Sequence, residues 1–220
     1  MNDLEILYED NHIIVCYKEK DVLSQKDNTD TIDMLTLIKD YIKDKYNKPG
    51  NVYLGLVHRL DRNTEGIMVF AKTSKAAKRL SESIANNDFV KKYYALVNNK
   101  PLKDEAILID YLIKNESMKK SFVSSNGKLA KLKYKFVEEV VVKGRKTYLL
   151  DVELYTGRFH QIRCQLSNIN CPLYLDKKYN DKEKISNYFL CSYYLKFKHP
   201  TLDQYLEFEI DPKQKLKKRY

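Results

Sequence analysis

The chain has 220 residues, of which 43% are hydrophobic and 32% charged, enough to bury the core of one domain with no repeat or low-complexity linker inside it. Forty Lys and Arg against thirty Asp and Glu leave a net charge of +10, which favours a polyanion as partner. No apolar run approaches the ~18 residues of a membrane span, and with Asp3, Glu5, Glu9 and Asp10 no basic signal n-region is expected in residues 1–10.

Taken in chain order, Ile13-Ile14-Val15 reads as a buried strand. Residues 31–46 carry Leu35, Ile38, Tyr41 and Ile42 at helical spacing behind a Thr/Asp start signal, which predicts an amphipathic helix. Residues 52–57 run into a polar turn, and residues 67–71 leave it as an apolar strand. A second helix is expected after Ser74, with Ala77, Leu80 and Ile84 on one face and Asn86-Asn87 as its stop. From residue 89 the period falls close to two. Segments 89–97, 106–113, 132–136, 148–154, 189–197 and 205–210 all predict strands, with Asn98-Asn99 and Asn126-Gly127 as turns. The succession predicts an α+β fold built on a large mixed, mostly antiparallel sheet with flanking helices. Lys-rich residues 213–220 follow as a basic tail, either a frayed, solvated end or one that touches the polyanion.

The polar turn carries the most chemistry. In His58-Arg59-Leu60-Asp61-Arg62 one carboxylate stands between two guanidiniums, whose charge favours its ionised form. Such an Asp can serve as nucleophile, metal ligand or ion-pair partner. Cys16, Cys164, Cys171 and Cys191 make no CxxC pair and read as buried free thiols of a reducing, cytoplasmic interior. The four histidines show no metal-ligand spacing, so neither a zinc site nor any other metal is expected. Eighteen Tyr and eight Phe accompany the lysines, a combination that can stack bases while holding phosphate.

Four segments in order resemble the RluA-type pseudouridine synthases: residues 8–15, the His58–Arg62 turn, Lys91-Lys92-Tyr93-Tyr94-Ala95-Leu96-Val97, and Thr156-Gly157-Arg158-Phe159-His160-Gln161-Ile162-Arg163 with Pro172-Leu173 and residues 176–179. The resemblance covers nearly the whole chain. It implies a catalytic domain over residues 1–212 with two lobes around a central cleft, no N-terminal RNA-binding module, and a monomer. It also implies cofactor-free isomerisation of a uridine in ribosomal or transfer RNA after the base is flipped out. Asp61 would be the catalytic carboxylate, Arg163 its buried partner, and Tyr93 the ring against the uracil. Arg59, Arg62, Lys91 and Arg158 would hold RNA. Attack at C1′, addition at C6 and removal of a ribose proton all remain open for Asp61.

This chain departs from the family pattern at four places. Lys18-Glu19-Lys20-Asp21 stands where Lys-Pro and a glycine are usual, and Thr64-Glu65-Gly66 where Thr-Ser-Gly is. Leu175 replaces a glycine before Asp176, and Leu190-Cys191-Ser192 replaces Leu-His-Ala. The competing reading is a non-catalytic RNA-binding or RNA-chaperone protein on the same fold, which explains the charge but not the retention of Asp61, Tyr93 and Arg163 together. A metal-dependent nuclease fits less well, because no carboxylate cluster surrounds Asp61 in the sequence.

Overall fold

The computed structural model describes residues 4–219, so Asp3 and the last residue of the basic tail, Tyr220, lie outside the described residues. Among these the chain forms eleven strands and four helices, the expected α+β class, and divides into two compact units. One unit comprises residues up to Phe89 together with Tyr194–Glu209; the other comprises Val90–Tyr193 and the residues from Ile210 onward. None of the described helices is long and apolar enough to cross a membrane.

The first unit is built on β1 (Ile6–Glu9), β2 (Ile13–Lys18), β3 (Gly55–Leu56) and β4 (Glu65–Ala71). Strand β2 pairs antiparallel with β1 and with β4, the latter in register from Ile13↔Ala71 to Lys18↔Gly66. Every residue of β2 and β4 is buried, which is why, apart from Lys18 and Glu65 at their ends, both read as continuous apolar stretches and not as alternating ones. Helix α1 (Met34–Tyr46) starts at Asp33, whose carboxylate accepts from the Thr36 amide at 3.1 Å, and it buries Met34, Ile38 and Ile42. Helix α2 (Ser74–Ala85) is capped by Thr73 and buries Ala76 and Leu80. The expected stripe of Ala77, Leu80 and Ile84 is therefore rotated: Ala77 and Ile84 are only half-buried. Its Ala77 methyl instead lies over Gly55, where a side-chain carbon would come within 2.9 Å of it.

Strand β1, which the hydrophobic pattern did not announce, is tied down by one carboxylate. Glu9 accepts from Tyr41 at 2.9 Å, Tyr46 at 2.9 Å, Lys45 at 2.7 Å and Lys72 at 2.7 Å. Burial opposes its ionisation, yet these four donors outweigh that and pull its pKa down to about 2. The unit is completed by the end of β10 (Leu190–Lys198) and by β11 (Tyr205–Glu209), paired antiparallel from Tyr194↔Glu209 to Lys198↔Tyr205.

The second unit holds most of β5 (Phe89–Val97), then β6 (Glu105–Asn115), β7 (Lys120–Val123), β8 (Lys128–Val142) and β9 (Arg145–Leu154), hydrogen-bonded in the order β5-β9-β8-β6-β7. These pairings are all antiparallel. Strand β8 runs far beyond the expected 132–136 because a bulge after Phe136 lets the chain resume pairing with Glu138↔Leu149. The β8–β9 hairpin closes through Lys143 and Gly144, both at positive φ (48° and 78°), as a two-residue hairpin turn requires. Helix α3 (Gln161–Asn168) covers one face, where Leu112, Ala130, Cys164 and Tyr179 pack together. All four cysteines are buried free thiols. The basic tail is helical as far as described: α4 (Lys213–Arg219) buries Leu216, and Lys213 pairs with Glu138 at 3.0 Å.

Candidate active site

In the first unit the Asp61 turn sits between β3 and β4, and three groups fix its backbone. The Ser24 hydroxyl donates to the Leu60 carbonyl at 2.8 Å and accepts from the Leu60 amide at 3.0 Å. The Asp21 amide donates to the Arg62 carbonyl at 3.0 Å, and the Thr64 amide to that of Asp61 at 3.0 Å. The third group is Lys18, wholly buried at the end of β2. Its ammonium donates to the carbonyls of Thr64 (2.7 Å), Arg62 (3.0 Å) and Glu19 (3.0 Å). All three of its protons are thus committed to the turn and its flank. Burial lowers the Lys18 pKa to about 8, against the opposing charges of Asp61, Glu65, Asp21 and Glu19. Next to this cation, Glu65 is buried at the first position of β4, so the acidic substitution in Thr64-Glu65-Gly66 faces the interior. Gly66 takes φ 119°, a conformation that a side chain would oppose.

Lys18 is the residue that sequence reading missed. A lysine closing a six-residue strand of otherwise apolar and aromatic residues is the signal that could have found it, since an unpartnered ammonium does not end up buried. The electrostatic expectation for the turn shifts accordingly. Arg59 and Arg62 are exposed, and Arg62 lies 3.8 Å from Asp21; the buried cation of the turn is Lys18. His58 contributes scaffolding: its Nε2 accepts from the Val69 amide at 3.1 Å and its ring tilts against Phe89 at 5.8 Å.

In the second unit Tyr93 lies on β5 with its side chain buried, while Tyr94 points to the opposite face and stacks on Tyr193 at 4.2 Å. Arg163 lies on α3, 4% exposed. Its guanidinium donates through Nε to Asp176 Oδ2 at 2.7 Å and through Nη2 to Oδ1 at 2.9 Å, a bidentate pair with both partners buried. The rings of Tyr188 and Tyr179 lie 4.6 and 5.0 Å from the guanidinium carbon. Asp176, in the fourth of the matching segments, therefore positions Arg163, a role that sequence reading had not assigned. The backbone around it is demanding: Leu175, at the position of the missing glycine, is held at φ 58°.

The start of α3 carries a polar network in place of a conventional cap. Gln161 accepts from the Thr156 hydroxyl at 2.8 Å and the Arg158 amide at 2.9 Å, and donates to Gln165 at 2.9 Å. His160, in the left-handed region at φ 51°, is hydrogen-bonded through Nδ1 to the Tyr179 hydroxyl at 3.1 Å, and that hydroxyl accepts from the Ser121 amide at 2.7 Å. Burial, with Arg163 close by, drives the His160 pKa down to about 2, so the ring is neutral and serves as scaffold. Among the residues expected to hold RNA, Arg158 is exposed and donates from Nε to the Leu129 carbonyl at 2.8 Å. Lys91 is buried, which lowers its pKa, and its Nζ lies 3.9 Å from where a Gly157 side chain would begin. Gly157 is thus uncrowded.

The RNA pseudouridylate synthase family matches residues 12–168 of this chain. Among curated proteins, the chain is 27% identical over 97% of its length to a ribosomal large subunit pseudouridine synthase C of Vibrio parahaemolyticus, and 28% identical over 81% to one of Rickettsia typhi. It spans 67% and 57% of those proteins' own lengths. Among solved structures, the human RNA pseudouridylate synthase domain containing 4 superposes with a TM-score of 0.76 at 21% identity, over 94% of this chain and 88% of that one. That likeness establishes the fold.

Proposed function

The chain belongs to the RNA pseudouridylate synthase family, and on that premise we propose that it isomerises a uridine in RNA to pseudouridine, with Asp61 as the catalytic carboxylate and Tyr93 and Arg163 as the other members of the site. The observation that carries this reading is the family match itself, since residues 12–168 take in all three. In the reaction the N1–C1′ bond of the nucleoside breaks, the base turns, C5 bonds to C1′, and the proton lost from C5 is balanced by one taken up at N1. An ionised carboxylate at the sugar–base junction suits the first step. A Tyr ring suits the second as a surface for the freed uracil, and Arg163, fixed by Asp176, keeps its charge and orientation throughout. The chemistry asks for no metal or cofactor.

The substrate class is a loop or unpaired region of ribosomal RNA, with transfer RNA as the second possibility, acted on in the cytoplasm. Exposed Arg59, Arg62 and Arg158 serve phosphate contact, and the net charge of +10 supports the approach. Lys91, expected to hold RNA, is buried and is therefore left out of the surface contacts. The test is nucleoside composition: bulk RNA from cells lacking the gene, incubated with the protein in EDTA, gains pseudouridine on digestion. Unchanged composition with retained, salt-sensitive binding would favour the non-catalytic RNA-binding reading instead.

A further inference from the structure

Glu65 stands where the resemblance leads one to expect serine, and it is 1% exposed at the head of β4. A carboxylate taken out of water needs a partner of opposite charge. Among the described residues of the first unit, the buried basic side chains are Lys18 and His199. His199 is engaged elsewhere: its Nε2 lies 2.7 Å from Asp10, and its Nδ1 accepts from the Thr201 and Leu202 amides at 3.2 and 2.9 Å. Lys18 remains, and the chain brings it to Glu65. Its ammonium donates to the Thr64 carbonyl at 2.7 Å, the group joined by a peptide bond to Glu65, and β2 and β4 meet at Lys18↔Gly66, one residue further on.

Four carboxylates favour the charged form of Lys18 against the cost of its burial: Asp61 in the turn, Glu65 at the head of β4, and Asp21 and Glu19 in the loop after β2. Asp21 and Glu19 are exposed, and Asp21 also has Arg62 at 3.8 Å, so water and that guanidinium weaken their hold. Asp61 is the group reserved for the chemistry. We propose that Glu65 is a positioning residue for the isomerisation: as the buried counter-ion of Lys18 it keeps the ammonium charged, and with it all three hydrogen bonds that fix the Asp61 turn. A neutral amine has two protons for the three carbonyls of Thr64, Arg62 and Glu19, so losing the charge releases one of them. With serine at residue 65, Lys18 would depend on Asp61 itself. The proposal rests on Asp61 being the catalytic carboxylate.

Two measurements on the full chain test it, and the first needs no activity. Urea midpoints at pH 7 are compared for wild type, Glu65→Gln, Lys18→Met and the double variant. Glu65→Gln lowers the midpoint when Lys18 is present and raises it in Lys18→Met, where the carboxylate is otherwise a buried charge without its ammonium. A folded double variant beside an unfolded Lys18→Met is the same result. Additive effects of one sign would overturn the pairing. The second measurement is the rate of tritium release from C5-labelled uridine in RNA against pH. The alkaline limb of Glu65→Gln falls roughly one pH unit below that of the wild type, with KM unchanged. Superimposed limbs in an active wild type would overturn the positioning role. A wild type without turnover would instead refute the Asp61 reading and the positioning role with it, while the midpoints still decide whether Glu65 and Lys18 are a pair.

Discussion

Lys18 is a buried ammonium whose three hydrogen bonds end on main-chain carbonyls around the Asp61 turn. Its contribution is geometric, so Lys18→Met is expected to lower turnover on the order of 10²-fold, the cost of misplacing a reacting group by about an ångström, while leaving RNA affinity near wild type. Its folded pKa of about 8 is below the value of 10.5 for a free lysine. Between those two pH values the unfolded chain holds more protons at this position than the folded one. The stability contributed by Lys18 is thus level below pH 8 and rises from there to pH 10.5. Urea midpoints of wild type and Lys18→Met, compared at pH 7 and 9.5, should move in favour of the wild type. Two departures from the family pattern make residue-level predictions of their own. Ser192, standing for an alanine, has a buried hydroxyl with no hydrogen-bond partner among the described residues, so Ser192→Ala should raise stability by about 1 kcal/mol in urea denaturation. Leu175 at φ 58° tolerates glycine, whereas Leu175→Val, β-branched, should cost more than about 1 kcal/mol by the same measurement.

Among the elements, those legible in the sequence are the ones whose burial follows a simple period. Helix α1 showed its 3.6 repeat and its Asp33 cap, and β5 its alternation of buried and half-buried residues. Helix α3 stayed hidden because it opens on His160 in a left-handed conformation with no side-chain cap, and because its buried residues include Gln161, Arg163 and Gln165, which carry no apolar stripe. The motif around Asp61, Tyr93 and Arg163 was legible as a resemblance. The groups that hold it, Lys18 and Asp176, were not, since both are buried charges whose partners are backbone carbonyls or an arginine distant in sequence. Strand β1 was missed for a related reason: half-buried along its length, it is held by Glu9 and not by an apolar pattern. Because the folded Glu9 pKa lies near 2 against 4.5, its contribution is complete above pH 4.5 and is lost as pH falls toward 2. Glu9→Gln should therefore be less stable than wild type at pH 6, and the difference should narrow in acid denaturation between pH 4.5 and 2.

For the molecule as a whole, a net charge of +10 makes RNA association an ion-release equilibrium. Filter binding to a stem-loop RNA should weaken on the order of 10²-fold between about 50 and 200 mM salt, and a perfect duplex should be a poor substrate because extrusion of a paired base costs a few kcal/mol more. A salt-independent affinity would contradict the part assigned to the exposed arginines. The central claim, that Asp61 carries an isomerisation at the base, is tested most directly by tritium release from C5-labelled uridine in bulk RNA from cells lacking the gene, with wild type and Asp61→Asn side by side. Release by the wild type and none by Asp61→Asn, with both proteins equally folded and equally bound to RNA, is the predicted result. Equal release by both proteins, or no release by either, would contradict it.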